Sequence, residues 1–140
     1  MGRSELREHI FKMIFGLQFT EEDQIEKQLE LYLDQLDEVS EKDRSYMLAK
    51  AKAIAEKVCE IDAMINENAT GWKTTRMNKV DLSILRLAVY EMKFDDDVPV
   101  KVAINEAVEL AKQFGGERSS AYINGMLGTL AKRLEGEAAE

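Results

Sequence analysis

One histidine and one cysteine bound the chemistry open to this chain. With His9 as the only imidazole, no Ser-His, Cys-His or multi-His metal set can be assembled unless a second chain supplies partners. With Cys59 as the only thiol, there is no intrachain disulfide and no cysteine-based zinc site. Cys59 lies beside the Val58 and Ile61 positions, with Lys57 as its one basic neighbour, so an inert or partly buried thiol is expected. Asp95, Asp96 and Asp97 group three carboxylates but lack the spacing of a calcium loop, and read as a solvated turn. No catalytic residue, metal or cofactor is expected, which leaves binding. Arg3 and Arg7 are four apart and share a face of any helix there. Read alone they are ordinary solvated charges. Tyr122 adjoins an apolar stripe and alone reads as a core-edge tyrosine. Phe15 falls off the Ile10, Met13, Ile14 and Leu17 stripe, as an interface anchor would, although a wide core face would also hold it.

The elements that must position these residues are helices. Leu6, Ile10, Met13, Ile14 and Leu17 recur at spacings of three and four. Thr20 reads as the start of a second helix, with acids in its first turn and Ile25, Leu29, Tyr32, Leu33 and Leu36 on one face. Ser40 caps a long helix of about Glu41 to Asn66, striped by Met47, Ala51, Ile54, Val58, Ile61 and Ile65. The segment from Asn66 to Gly71 breaks it, and Trp72 reads as a plug between two helical halves. Asn78 caps a helix of about Lys79 to Lys93, apolar around most of its circumference and suited to the centre of a bundle. Pro99, the only proline, opens the next helix, and Gly115-Gly116 ends it. Lys112 near that end suits the helix dipole. A final helix carries Ile123, Met126, Leu127, Leu130 and Leu134, and residues 135–140 should fray. Gly16, Gly125 and Gly128 cost about 1 kcal/mol each inside helices, which close helix packing, or for Gly125 close ligand approach, would explain. The reading is all-α: one domain of six to seven helices over residues 1–134, with a tail.

Composition agrees. The chain has 140 residues, 45% hydrophobic and 33% charged, enough for one soluble core. Arg3 to Glu8 is charged, so no signal peptide is read there, and no window approaches a membrane span. A reducing cytoplasm is the simplest setting. The net charge of −8 argues against a generic cationic nucleic-acid coat. Residues 21–43 alone carry ten acidic and two basic side chains, however, so the rest of the chain balances to zero. That acidic stretch reads as a solvated helix face.

From Val80 the sequence stops being generic. Val80-Asp81-Leu82-Ser83-Ile84-Leu85-Arg86-Leu87-Ala88-Val89-Tyr90-Glu91 is followed by Val98-Pro99 and by Val102-Ala103-Ile104-Asn105-Glu106-Ala107-Val108-Glu109-Leu110-Ala111-Lys112. Phe114-Gly115, Ser119 and Tyr122-Ile123-Asn124-Gly125 come next. In order and spacing this run, from about Asp81 to Leu127, resembles the NusB family of bacterial transcription antitermination factors. The first helix, from Arg7-Glu8 to Phe15-Gly16-Leu17-Gln18, matches more loosely. The same fold occurs on ribosomal-RNA cytosine methyltransferases, for whose catalytic domain a 140-residue chain has no room.

The resemblance implies an all-helical RNA-binding factor, not an enzyme. Its relatives pair with the ribosomal protein NusE, bind boxA-type single-stranded RNA in nascent, chiefly ribosomal RNA, transcripts, and join the elongating RNA polymerase complex. When free they are monomers or homodimers. The matching RNA-surface residues are Arg3, Arg7, Arg118, Ser119 and Tyr122, with Lys112 as a further contact. Tyr122 would stack on a base, and the backbone N–H groups after Gly115-Gly116 would hold a phosphate. The matching partner-protein residues are Phe15, Gln18 and Asp81, with Arg76 close by. Asn105-Glu106 is a family marker that reads as fold-specific hydrogen bonding. Glu5 and Glu8 interrupt the arginine cluster that many relatives carry, which implies weaker RNA affinity without the partner; Arg118 replaces a frequent acidic residue and offsets part of that. The other reading of the same residues is a helical adaptor that binds the ribosomal protein with little RNA affinity of its own.

Overall fold

A computed structural model describes residues 1–69 and 73–139. Among them are seven α-helices, two short 3-10 turns and no strand, the all-α class that the periodicity predicts. They cluster into two compact units, Met1–Lys57 and Val58–Glu140, a division that the single-domain reading does not contain.

The first unit holds α1 (Arg3–Leu17), a 3-10 turn (Glu22–Gln24), α2 (Ile25–Asp34) and α3 (Glu41–Glu56), each helix packed on the other two. Its core is Ile10, Phe11, Met13 and Ile14 against Leu29, Leu33, Met47 and Ile54, all nearly inaccessible. Burial of each such side chain stabilises by about 1.5–3 kcal/mol. Ser40 caps α3 as expected, its Oγ accepting the Asp43 N–H at 3.1 Å. Thr20 does not start α2. Its hydroxyl donates to the Gly16 carbonyl at 2.9 Å and so closes the end of α1, while the acidic residues after it form the 3-10 turn. A hydroxyl next to a helix end can serve either side, and the Gly16 carbonyl, which also accepts the Phe19 N–H at 3.1 Å, wins here.

The long helix expected from Glu41 to Asn66 is two helices. It breaks at Lys57 (φ −100°, ψ 5°), whose N–H is shared between the Ala53 and Ile54 carbonyls. No proline or glycine marks the spot, and the apolar stripe passes through unbroken, because one residue of altered backbone leaves the three-and-four spacing intact.

The second unit begins with α4 (Val58–Asn68) and continues through a 3-10 turn (Thr74–Arg76), α5 (Lys79–Phe94), α6 (Val100–Phe114) and α7 (Ser119–Ala139). α5 packs against α4, α6 and α7, with Leu82, Ile84, Leu85, Leu87, Ala88 and Val89 buried, the central position its composition calls for. Asn78 caps it, and Asp62 on α4 grips Arg86 on α5 through a forked pair of bonds at 2.9 and 2.7 Å. Pro99 precedes α6, and Gly115 ends it. A Cβ on Gly115 would lie 2.6 Å from Ser119 Cβ and 2.7 Å from the Ala111 carbonyl, so this turn admits only glycine. α7 stays helical through Ala139, beyond the apolar stripe. Trp72 lies outside the described residues.

Gly16, Gly125 and Gly128 correct another expectation. A Cβ at any of them meets nothing within 4 Å, so close helix packing does not explain them. Cys59 is exposed rather than partly buried.

Candidate nucleic-acid interface

The start of α5 is built by reciprocal capping. Asn78 Oδ1 accepts the Asp81 N–H at 2.8 Å, and the Asn78 side-chain amide donates to Asp81 Oδ2 at 2.9 Å. This places a carboxylate, 7% exposed, in the positive first turn of the most buried helix of the second unit. The start of α7 is built by the glycine turn. Ser119 Oγ accepts the Gly116 N–H at 3.0 Å, which seats Ser119 under Gly115 and carries Tyr122 round to face α5.

The two helix starts enclose a cleft of about 560 Å³. Arg76, Asn78 and Asp81 line one side, and Arg118, Ser119 and Tyr122 the other. Both arginines are exposed, and the Tyr122 ring is half-buried with its hydroxyl inaccessible. Burial, and secondarily the Asp81 carboxylate, push the Tyr122 phenol above its ordinary pKa. Asp81 Oδ1 and the Tyr122 hydroxyl are both buried without a hydrogen-bond partner. The cleft therefore offers two guanidiniums at the rim and an aromatic face. That is chemistry for an anionic ligand with a flat body.

Residues expected at two separate surfaces thus share one cleft: Arg118, Ser119 and Tyr122 from the RNA set, Arg76 and Asp81 from the partner set. Ser119 is 6% exposed and spends its oxygen on the turn, so it shapes the cleft. Of the backbone donors after the glycine pair, Ser119 N–H is engaged within the fold by the Gly116 carbonyl; within the pair itself, Gly115 N–H binds the Ala111 carbonyl and Gly116 N–H binds Ser119 Oγ. Lys112 lies apart. It is exposed, 3.4 Å from Glu109, on a shallow groove between α6 and α7 that also includes Asn105, Ser120 and Asn124. Asn105 is exposed, while Glu106 is half-buried and engaged.

In the first unit Arg3 is exposed, but Arg7 is 7% exposed and engaged within the fold. The shared face inferred from their spacing is not one solvent-facing pair. Arg7 lies a turn before Ile10 and Phe11, where the α1 core face is already wide. Phe15 and Gln18 are half-buried. Phe15 packs edge-on against Phe19, 5.4 Å between ring centroids, and Phe19 is 63% exposed. Sequence reading passed over Phe19, although Phe11, Phe15 and Phe19 recur every four residues and so form one row. Met77 and Asn78, also cleft residues, carry no sequence signal beyond the cap.

The NusB family's sequence profile matches residues 4–132. The chain belongs to the NusB family. Among its curated relatives, "Transcription antitermination protein NusB" of Agathobacter rectalis is 51% identical over 131 residues, spanning 94% of this chain and 100% of that protein. The protein of the same name from Lachnoclostridium phytofermentans is 47% identical and covers 91% of this chain and 96% of its own length. Among solved structures, T. maritima NusB superposes with a TM-score of 0.84 at 34% identity, covering 94% of this chain and 92% of that one. A chain in the "Crystal Structure of a Plectonemic RNA Supercoil" superposes with a TM-score of 0.83 over 95% of this chain and 96% of its own, at 20% identity, a likeness of fold. No helix among the described residues is long and apolar enough to cross a membrane.

Proposed function

We propose that this protein is a transcription antitermination factor of the cytoplasm that binds boxA-type single-stranded RNA together with the ribosomal protein NusE and joins the elongating RNA polymerase complex. The observation that carries this reading is the near-full-length identity, about half of all residues, to proteins that bear the antitermination name. The cleft supports it chemically, since single-stranded RNA needs cations for phosphates and a flat side chain for a base. Arg118, Arg76 and Tyr122 supply these in the second unit, and Arg3 supplies an exposed cation in the first. The Phe15 and Phe19 row with Gln18 is the surface for the ribosomal partner: an exposed aromatic beside a half-buried one is the composition of an interface anchor. When free, the chain is a monomer or a homodimer.

The test is RNA binding by the whole chain, with and without NusE, against a boxA strand and a scrambled one. The boxA strand should bind more tightly, and Arg118→Ala and Tyr122→Ala should each weaken it about tenfold. Equal affinity for both strands in the presence of NusE would overturn the reading.

The burial of Arg7 favours a second reading, an adaptor that binds the ribosomal protein and has little RNA affinity alone. Glu5 and Glu8 flank a start of α1 whose exposed arginine is Arg3. RNA affinity that appears only with NusE, and that Arg118→Ala leaves untouched, would select it.

A further inference from the structure

We propose that Tyr46 on α3 is a stacking platform for single-stranded RNA, which takes one unstacked base at the positive end of the first unit. The inference rests on the RNA reading above and adds a residue to it that no sequence signal singled out.

The ring is both exposed and held. Tyr46 is 44% exposed, on a helix whose core face is Met47, Ala51 and Ile54. Lys50, one turn on and itself 7% exposed, donates from Nζ to the Tyr46 hydroxyl at 3.2 Å. The ammonium lies 5.6 Å from the ring centroid, so it sits off the hydroxyl end and does not cover a ring face. Exposed apolar side chains are common on protein surfaces, and most are loose. This one is anchored at its far end, so a base that stacks on it meets a ring already in place. That lowers the ordering cost of binding.

Charge chooses the occupant. The Met1 amino group bonds Asp43 Oδ2 at 3.1 Å, which ties the start of α1 to the start of α3. Tyr46 stands one turn past Asp43, and the exposed Arg3 stands two residues past Met1. Residues 1–7 and 41–50 together hold five basic side chains and three acidic ones, whereas residues 21–40 hold one basic and eight acidic. The aromatic is therefore at the positive end of an otherwise acidic unit, where a phosphate chain is attracted rather than repelled. A protein partner fits less well. The centre of a protein–protein interface is depleted of charge, but Tyr46 has the Lys50 ammonium at its hydroxyl and the exposed Lys42 one turn before it. Cations beside a flat, open ring are what single-stranded RNA requires.

The experiment measures binding of a boxA strand to the whole chain, with NusE present, by fluorescence anisotropy. Tyr46→Leu keeps apolar bulk without a ring and should weaken binding about tenfold; Tyr46→Phe keeps the ring and should stay within about threefold of wild type. Thermal melting checks that both variants fold as the wild type does. Each base of the strand is then removed in turn, leaving the ribose and phosphate. At one position the removal should weaken binding about tenfold in the wild-type chain and cost nothing further in Tyr46→Leu, the mark of two groups that touch. NusE binding without RNA is measured in parallel and should not change. The proposal is overturned if leucine serves as well as phenylalanine, if no position is coupled to Tyr46, or if Tyr46→Leu weakens NusE binding in the absence of RNA. A preference for boxA over a scrambled strand with no Tyr46 effect sinks this inference alone, whereas equal affinity for the two strands sinks the RNA reading with it.

Discussion

Tyr122 and Asp81 bear on one another across a cleft, and the pairing has a pH signature. Burial, then the Asp81 charge, raises the phenol pKa in the folded chain. A raised folded value means that the group's contribution to stability is complete below the ordinary phenol pKa and is lost as pH rises through the folded value. In an ultraviolet alkaline titration, the tyrosinate signal that disappears in Tyr122→Phe should therefore be a late-ionising one. If the missing signal titrates like a solvated phenol, the described environment is wrong. None of this was legible in the sequence. Asn78 and Asp81 carry a cap signal that spacing reveals, but the approach of Tyr122 to Asp81 depends on how α5 and α7 pack. Arg7 shows the converse failure: its charge and its spacing from Arg3 read as solvated, yet the width of the α1 core face encloses it.

At the scale of elements, glycines separate two kinds of helix signal. Gly115 holds a turn that no Cβ can enter, and the sequence announces it, since Gly115-Gly116 follows an apolar helix face. Gly125 and Gly128 lie inside α7 with open space where a side chain would go. Replacing each with alanine should stabilise the chain by about 1 kcal/mol, or about 2–4 °C in Tm, while Gly115→Ala should destabilise it by about 1–3 kcal/mol. Differential scanning calorimetry checks all three; a destabilised Gly128→Ala would show that α7 has a neighbour at that position. Gly125→Ala that gains stability but loses RNA affinity would mark close ligand approach as the reason for that glycine. The helices themselves were largely readable, because their apolar faces repeat at three and four. The break at Lys57 was not, since a hydrophobic stripe records which side is buried and is blind to one residue's backbone angles.

For the whole molecule, net charge misleads and its distribution informs. Ten acidic and two basic side chains between Glu21 and Asp43 account for a charge of −8, and the remaining residues balance. They belong to the first unit, while the cleft and its two arginines belong to the second. If Arg3, Arg76 and Arg118 each meet a phosphate, the logarithm of the association constant should fall with the logarithm of salt concentration at a slope of about −2. Titrations between low and physiological salt check this. A slope near zero would remove phosphate contacts from the account, and one far steeper would require cations beyond these three. One further property follows from Cys59, the chain's sole thiol, which stands exposed at the start of α4. It is a built-in attachment point: a maleimide dye or biotin will load at one per chain without mutagenesis, every molecule on a sensor surface will be held by the same atom, and any second equivalent of label will report reaction at an amine.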